Sequence, residues 1–384
     1  MKLLHTADLH LGRHFLGNSL ANDHAAVLAQ ILKAVDVHQP DAVIIAGDIF
    51  DRAAAPETAV GQFNDFLNEL SACERTAIVL IAGNHDSGER IEAMSMLANA
   101  ERTLVRGVLK AEEPALLLRD EAGPVAISGL PFAYEYAARD CFGDKQIKAP
   151  ADVVRAQITA ARSRVPKGAR WVVVAHTFVD GGDASDSERP LTRAIGGIET
   201  VPWQVFDGAH YVALGHLHRP QSVGRANIRY AGAPLAFGFD EAGQEKSMTL
   251  VDLRPDGRVE LEVIPFHPLR NVRTLTGHLD DLLGSDVAGT EDFIQVVLTD
   301  EHRRIDPIKR LWERFPNVCD VRYAGLETKS ADGSFTVTPD RLERPSELVG
   351  AFLDYVRGRS PSDEEARLIA EELGQATTIN EDAA

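Results

Sequence analysis

Five short stretches of this 384-residue chain carry the side chains best suited to chemistry. They are Asp8-Leu9-His10, Gly47-Asp48-Ile49-Phe50-Asp51, Gly83-Asn84-His85-Asp86, His176 on its own, and Gly215-His216-Leu217-His218. Carboxylate, carboxamide and imidazole groups spaced this way are metal ligands in kind. One such pair after an apolar run reads equally well as a solvated strand end, because residues two apart in a strand share a face. Five in succession do not. Two carboxylates, one carboxamide oxygen and four imidazoles, with no thiolate, suit Mn²⁺, Fe²⁺ or Zn²⁺. Magnesium fits less well, since it prefers oxygen ligands and gives up its waters reluctantly. Seven ligands exceed the needs of one such ion but serve two that share a carboxylate. Two ions about 3.5–4 Å apart activate water and clamp the oxygens of a phosphate during in-line displacement.

The elements that must hold these groups are apolar runs ending just before them. Lys2-Leu3-Leu4, Ala42–Ala46, Ala77–Ala82, Trp171–Ala175 and Tyr211–Leu214 lack strict alternation, which suits strands buried on both faces of a layered α/β protein. Ligands in open α/β sheets collect beyond the carboxyl ends of strands, where all five stretches lie. Between the runs stand helical patterns. Asn22 is positioned to cap a helix whose inner side is Val27, Leu28, Ile31, Leu32 and Val35 and which Pro40 stops. Pro56 opens a second, with Val60, Phe63, Phe66, Leu67 and Leu70 inward. Ser247–Leu253 and Val259–Ile264, joined by Pro255-Asp256-Gly257, spell a hairpin. Pro265 and Pro268 bracket a boundary. We expect three parts: a catalytic domain over residues 1–268, a small α/β domain over 269–338 with a strand at Phe293–Leu298, and a helical tail over 339–384. In the tail Leu348, Val349, Phe352, Leu353 and Val356 line one helix, and Ser362 with Glu365 forms a capping box for the next.

Composition narrows the class. Apolar residues are 44% and charged ones 26%, as in ordinary soluble proteins. No 18-residue apolar run and no leader pattern stand out, so a cytoplasmic protein without membrane association is expected. Three scattered cysteines, Cys73, Cys141 and Cys319, fit neither a disulfide framework nor a thiolate zinc site. The net charge of −18 weighs mildly against a nucleic-acid partner, which usually meets a basic footprint. Seven acids against one base in Ser360–Ala384 account for part of it, and a phosphate-seeking site can carry its positive charge on metal ions. The basic candidates for phosphate contact are Arg13, Arg52 and the run Arg162, Arg164, Lys167 and Arg170, which a solvated helix face explains equally well.

The order D-x-H, G-D-x-x-D, G-N-H-D, a lone His, then G-H-x-H resembles the calcineurin-like metallophosphoesterases. That resemblance implies a four-layer α/β sandwich of two mixed sheets flanked by helices, with two divalent ions, manganese the first expectation. One ion would take Asp8, His10, Asp48 and His218; the other would take Asp48, Asn84, His176 and His216. His85 would be the catalytic residue over the phosphate, helping to protonate the leaving oxygen. Asp86 would orient it, and Asp51 would be structural. Leu9 departs from the aromatic common at its position. Longer stretches, "KLLHTADLHLGR", "AGNHDSGER", "HTFVDGGDASDSERP", "VALGHLHRPQ" and "YAGAPLAFGFDE", are similar to the nuclease subunits of bacterial complexes built on a coiled-coil ATPase. The segment Ser185–Pro190 with Gly196 and Gly197 sets that group apart. It implies DNA as substrate, a capping domain facing the DNA, a terminal helix pair docked on the ATPase, and a homodimer within a heterotetramer. The same five stretches also serve hydrolases of small phosphomonoesters or cyclic nucleotides, which the acidic charge favours slightly.

Overall fold

The structure is a computed structural model, and it describes residues 1–97, 99–188, 193–194, 197–198, 200–284, 288–324, 345–357 and 359–381. Pro190, Gly196 and the expected boundary at 338/339 lie outside them. The chain divides into two compact units, Met1–Arg273 and Thr274–Ala384.

Strands of the first unit come in chain order as follows. β1 is Lys2–Thr6, β2 Ala42–Ala46, β3 Ala77–Ile81 and β4 Thr103–Arg106. β5 is Leu116–Asp120, β6 Gly123–Leu130, β7 Arg170–His176 and β8 Tyr211–Gly215. β9 is Gln221–Val223, β10 Arg225–Tyr230, β11 Ser247–Leu253 and β12 Val259–Pro265. They make two six-stranded sheets, in the orders β12-β11-β1-β2-β3-β4 and β9-β10-β8-β7-β6-β5. Both are mixed. In the first sheet β1 to β4 run parallel and the β11–β12 hairpin is antiparallel; in the second β10, β8, β7 and β6 run parallel between antiparallel edge strands.

Side-chain alternation explains why the apolar runs are unbroken. Leu3, Ile44, Val79 and Val251 of one sheet interlock with Ile127, Val172, Val174 and Tyr211 of the other. The opposite faces are covered as well: Leu4, Val43, Ile45 and Leu80 are buried, and Trp171, Val173 and Val212 pack on Val154 and Ile158 of the helix Pro150–Arg162. Strands buried on both faces need no polar side.

The two anticipated helices form as α1 (Ala21–His38) and α2 (Glu57–Ser71). α1 starts one residue earlier than the Asn22 cap requires. Leu20 holds the cap position, the Ala21 N–H donates to Ser19 Oγ at 3.3 Å, and the ladder opens with His24 N to Leu20 O at 2.8 Å. At its far end Gln39 turns left-handed, and Pro40 follows. The proline-bracketed segment after β12 is tied back onto α1: His267 N donates to Gln30 Oε1 at 2.8 Å, and Arg270 pairs with Asp23.

In the second unit, strands β13 (Val272–Gly277), β14 (Phe293–Leu298) and β15 (Val318–Tyr323) form one sheet. Leu279, Leu282, Ile294, Val296, Leu311 and Phe315 fill its core. The tail holds helices Pro345–Arg357 and Asp363–Glu381. The Ser362–Glu365 capping box is present, with Ser362 N on Glu365 Oε2 at 2.9 Å and Glu365 N on Ser362 Oγ at 3.3 Å. Among the described residues no helix is long and apolar enough to cross a membrane.

Two histidines outside the five stretches are buried in this frame. Burial lowers His5 to about 3, with Arg229 adding to it, and lowers His24 to about 4 against the pull of Asp23. The unfolded chain therefore takes up protons below about 6.5 that the folded chain refuses, so stability falls with pH through that window. For His24 the loss down to pH 4 is about 3 kcal/mol. The urea midpoint of EDTA-treated protein should drop between pH 7 and pH 5, and the drop should shrink in His24→Gln. An equal drop in the variant would assign it to other groups.

Candidate metal centre

All five stretches converge at one end of the sandwich. β1, β2 and β3 of the first sheet deliver Asp8-x-His10, Gly47-Asp48 and Gly83-Asn84-His85; β7 and β8 of the second deliver His176 and His216-x-His218. Hydrogen bonds stitch the sheets together at this point. His176 Nδ1 meets the Ala46 carbonyl at 2.9 Å, and the His216 N–H donates to Asp8 at 2.9 Å. Within the first sheet, Asp8 N and His10 N donate to Gly47 O and Asp48 O, both at 3.0 Å.

The close approach has a backbone cost. Asp8, His10 and Asp48 have φ of 53°, 46° and 48°, and His216 has 109°. These are four of the seven described non-glycine residues in that region, and strain of this kind gathers at functional sites. The glycines ahead of the motifs make the room. Gly47 sits at φ 91°, and a Cβ on it would run into the His176 ring; a Cβ on Gly83 would overlap the Asp48 carboxylate.

The carboxylate of Asp48 occupies the middle. Its Oδ1 accepts from His85 N at 2.8 Å, while its Oδ2 lies 3.7 Å from His10 Nε2 and 3.4 Å from His176 Nε2. Two groups of donor atoms meet at it: Asp8, His10 and Asp48, and Asp48, His176 and His216. Asn84 Oδ1 joins the second group, 3.0 Å from His176 Nε2 and 3.2 Å from His216 Nδ1. His218 Nε2 joins the first, 3.2 Å from His10 Nε2. All seven residues expected as ligands are thus brought together. Lone pairs facing one another at such distances, with few protons between them, fit divalent cations.

A model of the calcineurin-like phosphoesterase family matches residues 1–220. The chain belongs to the calcineurin-like phosphoesterases. Among proteins of this family's kind it is 30% identical, over 83% of its length and 84% of the other's, to the SbcD subunit of nuclease SbcCD from Staphylococcus epidermidis. Among solved structures it is similar to TT1561 of Thermus thermophilus, at 16% identity and a TM-score of 0.39, over 68% of this chain and 98% of that one. It is also similar to a dimetal phosphatase from Danio rerio, at 12% identity and a TM-score of 0.40, over 70% and 99%. These two structures are too distant to transfer residue roles.

Electrostatics of this phosphoesterase centre, read without cations, show how much negative charge it gathers. Burial, opposed in part by His176, holds the Asp8 carboxyl well above its usual range. Burial would lower His176, but Asp48 and Asp8 outweigh it and lift the imidazole to about 9. His10 and His216 are pushed well down by burial and by neighbouring imidazoles. Imidazoles kept neutral and a carboxylate kept charged are the protonation states that metal binding needs.

His85 stands at the mouth, 8% exposed against 0% for Asp8 and His10. Its Nδ1 meets the Asp51 carbonyl at 2.7 Å, which leaves Nε2 for other partners. The expectation that Asp86 orients His85 is therefore corrected. The Asp86 carboxylate instead accepts from Ile49 N, Phe50 N and Gly83 N at 3.1, 2.9 and 2.9 Å, strapping the second loop to the third. Asp51 orients His85 through its main chain, and its own carboxylate lies 3.6 Å from Arg13. Arg170 is excluded as a phosphate contact: it opens β7, at the opposite end from His176, where it binds the Leu253 carbonyl and Asp120. Arg162 lies over Trp171 and binds the Asp207 carbonyl.

Sequence reasoning gave no role to Ser187, Glu188, Glu241 or Lys246, which surround His218. They lie inside the long stretches that carried the nuclease likeness, and that likeness was the one available signal. Asp86→Ala should leave three backbone N–H groups without an acceptor and destabilise the protein by about 3 kcal/mol. Thermal melting checks this, and an unchanged midpoint would show that water replaces the strap.

Proposed function

We propose that this chain is the metal-dependent DNA nuclease subunit of a complex with an SbcC-type ATPase. It would cut backbone phosphodiesters as a 3′-to-5′ exonuclease on duplex ends and as an endonuclease on single strands and hairpins. The observation that carries the catalytic part is the place of Asp48 in both donor groups, since a shared carboxylate is what a pair of ions requires. The substrate rests on the relative named as a nuclease subunit. That alignment of 320 residues is longer than the Met1–Arg273 unit, so the likeness extends into the second unit, for which a hydrolase of small esters has little use.

In this reading Asp8, His10, Asp48 and His218 hold one ion, and Asp48, Asn84, His176 and His216 hold the other. Manganese is the proposed metal. Two ions bound there would activate water and neutralise charge on the phosphate. The protein's own groups do the rest. His176 and His216 are fixed by main-chain and Asn84 contacts, and His85, aimed by the Asp51 carbonyl, hands a proton to the 3′ oxygen as the P–O bond breaks. Positive charge on the ions lets a chain of net charge −18 accept a polyanion. The terminal helices Pro345–Arg357 and Asp363–Glu381 are proposed as the ATPase-docking part, by helix-in-groove packing, in a heterotetramer built on a homodimer. The proposed compartment is the cytoplasm.

The test is incubation with Mn²⁺ and, in parallel, linear duplex, a DNA hairpin and para-nitrophenyl phosphate. DNA should be shortened or nicked, and EDTA should abolish this. Nitrophenol release with DNA left intact, even with the ATPase and ATP present, would make the chain a small-ester phosphatase instead. His85→Ala should lower turnover by roughly 10²–10⁴ while both ions stay bound. Asp48→Ala should empty the centre, as metal analysis of the dialysed protein would read. Loss of metal from His85→Ala would make His85 a ligand.

A further inference from the structure

The two halves of the centre are supported in different ways. His176 and His216 are held by strands and their ends: His176 Nδ1 by the Ala46 carbonyl, and the His216 N–H by Asp8. His218 is held by side chains from two outlying segments. Its N–H donates to Glu188 Oε1 at 2.6 Å, its carbonyl accepts from Lys246 Nζ at 3.0 Å, and its Nδ1 lies 2.7 Å from Ser187 Oγ. Ser187 in turn donates to Glu241, whose other oxygen takes the Lys246 ammonium. Glu241 is fully buried and Lys246 nearly so. The outlying segments are also joined directly, by Asp186 N on Asp240 Oδ2 at 2.8 Å. Arg13, next to the first motif, donates to the Ser187 carbonyl at 3.2 Å and stacks over Phe237.

Only one arrangement of protons leaves His218 Nε2 with a lone pair facing His10. Nδ1 must carry the ring proton and donate to Ser187 Oγ; Ser187 must then spend its single proton on Glu241, which stays charged against Lys246. Every donor and acceptor along this line is satisfied, and the direction is fixed by Lys246, which can only donate.

We infer that Ser187, Glu241 and Lys246 form a latch that fixes the tautomer and position of His218, and so sets the affinity of one of the two metal positions and not the other. This rests on the two-ion reading above. These are positioning residues, acting through His218. The position served by His10 and His218 depends on the loop Ser185–Glu188 staying docked, whereas the position served by Asn84, His176 and His216 does not. Partners of this kind typically change metal affinity by about 10–100-fold.

The test is Mn²⁺ titration calorimetry on the full-length chain, with a thermal melt of each variant to confirm folding. Wild type should take up two ions. Ser187→Ala should keep one at wild-type affinity and bind the other about 10–100-fold more weakly; Ser187→Thr, which keeps the hydroxyl, should recover both. In manganese resonance spectra, Ser187→Ala at one ion per chain should show an isolated ion rather than a coupled pair. A Ser187→Ala protein that bound two ions as wild type does, or a folded one weakened equally at both positions, would overturn the latch while leaving the two-ion centre standing. A wild-type chain binding a single ion would overturn the reading beneath it and the latch with it.

Discussion

The Asp48 carboxylate is the group around which this molecule is arranged. One of its oxygens is spent on the main chain of His85, which fixes its direction, and the other is left between the rings of His10 and His176. Burial would discharge an isolated carboxylate, yet the surrounding imidazoles hold its affinity for protons far below the usual range. That requirement explains features that look unrelated in the sequence. Gly83 is bare because a side chain would strike Asp48, Gly47 because one would strike His176, and the β1 and β2 loops run side by side because Asp8 and His10 hydrogen-bond across to Gly47 and Asp48.

The sandwich supplies what a single sheet could not. β1, β2 and β3 bring carboxylates, a carboxamide and two imidazoles, while β7 and β8 bring the remaining imidazoles from across the interface. Between them, Leu3, Ile44, Val172 and Tyr211 form a close-packed apolar layer that holds the sheet ends at fixed separation. The centre is thus a property of the contact between sheets, and the stiffness of that contact is what lets ligands from chain positions more than 200 residues apart meet within 3.2 Å.

Much of this was legible beforehand, for a physical reason. Asp48, Asn84 and His176 could be found because each ends an apolar run, and a run's end marks where a buried strand meets solvent. The strands themselves matched closely: Ala42–Ala46 and Phe293–Leu298 have the expected limits. The orientation of His85 was misread because the sequence placed Asp86 next to it, and adjacency along the chain says nothing about where a carboxylate turns once three backbone N–H groups compete for it. The start of α1 was shifted because Ser19, outside the apolar pattern, served the free N–H group in place of Asn22. Ser187 and Glu241 stayed silent because their partner, His218, lies some 30 residues from one and some 20 from the other, and no periodicity connects them.

The left-handed backbone at Asp8, His10 and Asp48 carries one more implication. A glycine at any of these positions would relieve steric strain, and at Asp48 it would also remove a buried charge, so for the bare fold such a change is a relaxation. Selection for thermal robustness alone, in the laboratory or over generations, would therefore erode this end of the sandwich first. Descendants that kept the two sheets and lost the aspartates would be sturdier proteins with no chemistry left in them.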